Sequence, residues 1–174
     1  MGKKSVRSDK TPYQLAREEA GLTRAAADEL MDYVSDSRIE KIENGKSPAM
    51  PEDALAMASA YGRPELINYY CAHECPIGRK YVPEVSVREL PQIVLEILDA
   101  VNRVRDEQDS LIRIAADGDI SDNEMHDFLR IRKKLTDLSG SVSELQLWID
   151  RAIARGRLDE SSIDEVSEDE PVVP

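Results

Sequence analysis

The chain is poor in the residues that build disulfide scaffolds, aromatic cores and membrane spans. Its 174 residues include two cysteines, one phenylalanine and one tryptophan. Two cysteines cannot staple a chain of this length, and they suit a reducing cytoplasm better than an oxidising compartment. No apolar run approaches the ~18 residues of a membrane-spanning helix, so no membrane partner is expected. The start, MGKKSVRSDK, has no apolar core behind its lysines and does not read as a secretory signal. Val6 also breaks the myristoylation pattern. No P-loop, glycine-rich phosphate motif or nucleophile–base–acid set is present, so neither an enzyme nor a cofactor-binding protein is expected.

A basic excess is missing too. The net charge is −12, and its distribution says more than its total. Residues 1–90 carry 13 Lys/Arg against 15 Asp/Glu, whereas residues 91–174 carry 10 against 20. The first half is near neutral and the second is strongly acidic. No segment has the basic balance of a dedicated nucleic-acid binder. What the chain does have is alanine, leucine and isoleucine in quantity, with 33% charged residues. That mixture favours helices over sheets, and no strand is needed to account for the pattern.

The punctuation predicts an all-α chain. Residues 1–10 read as a basic disordered arm. Thr11, with Pro12 and Gln14 behind it, reads as a helix start with a capping box, and Gly21 as its stop. Thr23 caps RAAADELM. Ser35 or Asp36 caps a third helix that stops at Asn44-Gly45. Pro51 and Pro64 open a fourth and a fifth. These five helices span residues 11–75, and residues 76–87 read as a linker. From Leu90 a heptad seam is predicted: Leu90, Val94, Ile97, Val101, Val104, Gln108, Leu111 and Ala115. After the turn DGDISD comes a second seam of Phe128, Ile131, Leu135, Leu138, Val142, Leu145, Ile149 and Ala152. The two make a long antiparallel, coiled-coil-like hairpin over residues 88–155, with SGSVS (139–143) a candidate bend in its second arm. Ile93, Leu98, Ile112, Leu129, Leu147 and Trp148 lie off these seams. The hairpin is therefore expected to pair with a second copy as a four-helix bundle. Val94, Ile97, Val101, Leu111, Leu135, Leu138, Leu145 and Trp148 are the dimerisation candidates. Packing against the five-helix domain is the alternative. Residues 156–174 are acidic, poor in core residues, and read as a solvated tail.

Within the first domain, Leu15, Arg17, Gly21-Leu22-Thr23, Ile39, Ile42, Glu43-Asn44-Gly45, Ser47-Pro48 and Leu55-Ala56-Met57-Ala58 fall into one pattern. By these residues the stretch 11–70 resembles the Xre/Cro-like helix-turn-helix family of transcriptional regulators. The turn Asp32-Tyr33-Val34 is about one residue longer than the family's usual connection. More narrowly, NYYCAHECPIG, the DG turn and LQLWID are similar to segments of small bacterial helix-turn-helix proteins labelled as DNA-binding regulators. The resemblance implies double-stranded DNA as a partner, read by the third helix.

The helical wheel of that third helix is specific about which groups could do so. With Ile39 and Ile42 inward, Ser37, Glu40, Lys41 and Asn44 face outward, and Arg38 and Asp36 lie on the flanks. Ser37 and Asn44 can hydrogen-bond base edges, and Arg38 can reach guanine. Arg24, Lys41 and Lys46 suit phosphates, as do Lys3, Lys4, Arg7 and Lys10 in the arm. The second-helix N-terminus at Thr23 could add a dipole contact to a phosphate. The expected function is a sequence-specific, dimeric DNA-binding transcription regulator. The competing expectation is a non-enzymatic adaptor on a helix-turn-helix core, its acidic hairpin or tail engaging a basic protein.

Two further motifs look chemical. CAHEC could offer Cys71, His73 and Cys75 to zinc, but Cys71 and Cys75 share a helical face that His73 does not, so structural cysteines are expected and no metal site. ADGDISDNE is similar to half an EF-hand loop. Aligning its glycine puts Arg113 and Ala115 at the first and third ligand positions, which excludes calcium on ligand chemistry.

Overall fold

A computed structural model describes residues 10–116 and 118–159. The described residues are helical, without strands. Residues 1–9 of the arm (1–10) and residues 160–174 of the acidic tail (156–174) lie outside them. The chain divides into two compact units, Met1–Glu84 with Ile149–Pro174, and Val85–Trp148.

The first unit opens with α1 (Pro12–Glu19), α2 (Arg24–Asp28), α3 (Asp36–Glu43), α4 (Pro51–Tyr61) and α5 (Glu65–Tyr69). Their starts follow the chemistry read from the sequence. Thr11, Thr23 and Ser35 are extended residues whose hydroxyls accept from the backbone N–H groups of Gln14, Ala26 and Arg38. The box at Thr11 is only half made, because the Gln14 amide turns to donate to Glu18 at 2.9 Å. At α4 the Asp53 carboxylate accepts the Met50 N–H at 2.7 Å. α2 is shorter than expected. It gives way after Asp28 to single turns that bury Met31 and Val34. The core is Tyr13, Ala16, Ala27, Val34, Ile39, Ile42, Ala54, Met57, Tyr61 and Leu66 with their neighbours. Alanines from three helices admit the close helix approach that so few aromatics require.

After α5 the chain loosens into a π-turn (Tyr70–Glu74), then forms α6 (Gly78–Tyr81) inside the stretch expected to be a linker. Gly78 is buried, and any Cβ there would overlap the carbonyl of Cys71. Its N–H donates to the Cys75 thiol at 3.4 Å. CPIG is thus a tight turn that folds α6 back on the π-turn.

The second unit holds α7 (Leu90–Arg105), α8 (Gln108–Ala115) and most of α9 (Met125–Ala154). The first arm was expected as one helix; it breaks at Asp106 and Glu107. The second arm, where SGSVS was a candidate bend, stays unbroken. Thr136, Ser141 and Ser143 donate to the carbonyls four residues back, so these hydroxyls are satisfied within the helix itself. Ser121 and Glu124 form the expected cap ahead of α9, with the Glu124 carboxylate accepting the Ser121 N–H and hydroxyl.

The register of the buried stripe differs from the predicted one. Ile93, Ala100, Glu107 and Ile114 are the buried positions of the first arm, seven apart, with Ile97, Val104 and Leu111 half-buried between them. In the second arm Ile131 is buried and Lys134, Leu138, Ser141 and Leu145 follow it half-buried at heptad spacing. Val94, Val101, Leu135 and Val142, expected in the seam, are exposed instead. Ile93 and Leu147, expected outside it, are buried. Polarity explains the shift. Glu107 enters the seam because α9 meets it with two cations: Arg130 at 2.9 Å and Lys134 at 2.6 Å. These hydrogen bonds and charges hold its carboxyl down at about 2.

Candidate nucleic-acid interface

α3 is fixed from below by a buried charge cluster. Glu43, in its last turn, is fully enclosed and accepts from Arg17 Nε at 2.6 Å and from Arg24 Nε at 2.8 Å. Arg17 adds a second bond to Glu43 at 3.0 Å and one to the Leu22 carbonyl at 2.6 Å. Burial works against the Arg17 charge, but the bonds and charge of Glu43 outweigh it and its pKa rises. One carboxylate thus ties α1, α2 and α3 together. Beyond it Asn44 caps the helix and Gly45 turns left-handed, at φ 67°.

A second arginine fixes α3 from the side. The Arg38 guanidinium donates to the Asp53 carboxylate at 2.5 and 3.3 Å, to the Ser47 hydroxyl at 2.6 Å and to the Pro48 carbonyl at 2.9 Å. The hydrogen bonds to Asp53 are the main reason its pKa lies above the ordinary value. Asp53 also caps α4, so Arg38 links the start of one helix to the start of the next across their loop.

The six candidate DNA-facing residues therefore separate. Arg24 and Arg38, expected to meet phosphate and guanine, point their charged ends inward to Glu43 and Asp53. Ser37, Lys41 and Lys46 are exposed, and Asn44 is half-buried. Ser37 Oγ lies 3.2 Å from Ser35 Oγ. Asn44 Nδ2 donates to Glu40 at 3.4 Å, and Lys46 Nζ is 4.0 Å from the same carboxylate. Lys41 makes no ion pair among the described residues. Acids surround this group: Glu29 and Asp32 are exposed, while Asp28, Asp36 and Glu40 are partly so. Asp28 is occupied in part by the Asp36 N–H at 3.0 Å. α2 has only five residues, too few for a strong dipole contact at Thr23. Lys3, Lys4 and Arg7 lie outside the described residues, and Lys10 pairs with Glu18 at 2.6 Å.

The wheel could not show these inward ties, because the acids that capture Arg24 and Arg38 lie 19 and 15 residues along the chain. What the sequence did offer was the spacing of Arg17 and Glu43 within a recognisable motif, each one turn on from a core residue, Tyr13 and Ile39, and so on the inward side of its helix.

The other motifs are structural in outline. Cys71 and Cys75 are free thiols. His73 stacks on Tyr69 with ring centres 4.9 Å apart, and its Nε2 is 3.1 Å from Glu84. Glu74 accepts from the buried Tyr13 hydroxyl at 3.1 Å. No group of three or more His, Cys, Asp or Glu among the described residues is arranged to hold a metal. Arg113, at the first position of the EF-hand-like alignment, pairs with Asp127 at 3.2 Å. No helix among the described residues is long and apolar enough to cross a membrane.

Residues 14–66 match the family model described as a helix-turn-helix domain. No curated protein and no solved structure matches the chain.

Proposed function

Starting from a helix-turn-helix domain at residues 14–66, we propose that the chain is a sequence-specific DNA-binding transcription regulator that works as a pair. The observation that carries this reading is the state of α3. It is capped, anchored by Glu43 and braced by Arg38, yet Ser37, Lys41 and Asn44 on its outer side and Lys46 just beyond it keep at least partial exposure. Ser37 and Asn44 are the base-reading candidates; Lys41 and Lys46 contact phosphate. Among the described residues Lys41 and Lys46 alone of the candidate cations face outward, which gives little non-specific affinity, so two copies on two half-sites share the load.

The test is fluorescence anisotropy of the full chain against genomic DNA fragments in low salt. Lys41→Ala should weaken binding to all sequences alike and lower the salt slope by about 1, whereas Ser37→Ala should relax preference at one base position by ~1–3 kcal/mol. Binding that ignores both changes, or no binding at low salt, defeats the assignment.

The adaptor reading has one specific observation in its favour. Glu29, Asp32, Asp36 and Glu40 outnumber Lys41 and Lys46 around α2 and α3, with Arg24 and Arg38 turned inward. Under that reading the acidic hairpin or tail engages a basic protein, and DNA binding is weak or absent even at low salt.

A further inference from the structure

The second unit leaves one side of its hairpin bare, and the geometry points to a second copy of this chain as what covers it. The surface lies one residue on from each buried stripe. On α7 and α8 those positions are Val94, Leu98, Val101, Arg105, Gln108 and Ile112. On α9 they are Phe128, Arg132, Leu135, Ser139, Val142 and Gln146. Val94, Leu98, Val101, Leu135 and Val142 are 41, 56, 46, 44 and 41% exposed. Both arms are right-handed helices and they run antiparallel. A step of one residue, about 100°, from the facing stripe therefore turns to the same side of the hairpin in each. The two rows form one continuous face.

That face differs in kind from its opposite. It contains no acid, in a unit drawn from the strongly acidic half of the chain. The other side carries the charges, paired within the hairpin: Asp99 with Arg103 at 3.1 Å and Asp127 with Arg130 at 3.1 Å. A large apolar face from which acids are excluded marks an interface, and on a hairpin its natural complement is another hairpin. At about 27 Å by about 20 Å it is large enough for the several hundred Å² per partner that a stable pair buries.

The two exposed cations on the face locate the symmetry axis. The ties from Glu107 to Arg130 and Lys134, and from Lys134 to the Arg103 carbonyl, fix the alignment of the arms. By it Val101 is level with Leu135, Val94 with Val142, and Arg105 with Arg132. A two-fold axis at the arginines would stack four guanidiniums. Near Leu98 and Ser139 the same axis sets Val94 and Val142 of one copy against Val101 and Leu135 of the other, and the arginines fall at the rim. Ile97, Leu111, Leu138, Leu145 and Trp148, expected at the interface, are half-buried instead; Val94, Val101 and Leu135 remain.

A pair is what the proposed DNA binding calls for, so this surface deepens that reading; association is measured without DNA, and either can fail alone. The experiment is light scattering of the full chain at micromolar concentration, together with cross-linking of Leu98→Cys and Arg105→Cys in a Cys71→Ser, Cys75→Ser background. The expected result is a dimer. Leu98→Cys joins two chains under mild oxidation and Arg105→Cys does not. The Leu98→Glu, Val142→Glu double variant becomes monomeric with unchanged helical circular dichroism. A monomeric parent chain overturns the assignment. So does a double variant that stays dimeric, or cross-linking at Arg105→Cys as ready as at Leu98→Cys.

Discussion

Removing Glu43 tests the anchoring of α3 most directly. Its carboxylate is fully enclosed, and the Arg17 side chain beside it is 8% exposed. Glu43→Ala leaves Arg17 as a buried cation with one neutral partner, the Leu22 carbonyl. Deleting one member of a buried pair costs about 3–5 kcal/mol, because the remaining charge cannot be hydrated. Against a total domain stability of ~5–15 kcal/mol that is a large fraction. Urea unfolding should be followed by far-UV circular dichroism, since the single tryptophan, Trp148, belongs to the second unit. The decisive comparison is between Glu43→Leu and Glu43→Leu with Arg17→Met. If the loss comes from an orphaned charge, the double variant is more stable than the single one. A Glu43→Ala loss under about 1 kcal/mol refutes the reasoning, as does a double variant no better than the single.

Four other outcomes follow from the same structure. Arg38→Ala should lower thermal stability before it alters DNA affinity, because it breaks bonds to Asp53, Ser47 and Pro48, whereas Lys41→Ala should do the reverse; differential scanning calorimetry beside anisotropy separates them. Gly78→Ala should destabilise the first unit by ~1–3 kcal/mol, since a Cβ cannot fit against the Cys71 carbonyl, and urea midpoints will show it. The Glu107 carboxyl is held below its ordinary value. Its contribution to stability should be complete above pH ~4.5 and fade as pH falls toward about 2, and Glu107→Gln should flatten the melting temperature across that window. Lys46→Ala, like Lys41→Ala, should weaken DNA binding without sequence preference and with a reduced salt slope, which a salt titration reads.

The helices of the first unit were legible because their signals are local. Thr11, Thr23, Ser35 and Gly45 each announce a terminus within three or four residues, and Ile39 and Ile42 can only face a core. The hairpin was legible as a hairpin for the same reason. Its register was not. In LPQIVLEILDAVNRV two heptad stripes compete, one through Val94 and Val101 and one through Ile93 and Ala100. A preference for bulky apolar residues selects the first. The second wins because α9 supplies Arg130 and Lys134 to the intruding Glu107, and pairing across 23 to 27 residues is invisible to periodicity. The inward ties of Arg24 and Arg38 were hidden for the same reason. A wheel leaves Arg38 on the flank of α3 and says nothing of Arg24, but a long arginine stem goes where an enclosed carboxylate is.

The inward turn of Arg38 has a consequence for how such a protein can change. By joining α3, the loop at Ser47 and Pro48, and the cap of α4, it makes the scaffold's rigidity independent of the neighbouring outward residues. Ser37 and Lys41 carry little of the fold's mechanical load. They can be exchanged for other side chains at small cost, and a new binding preference can arise by drift at two or three positions while the domain beneath is undisturbed.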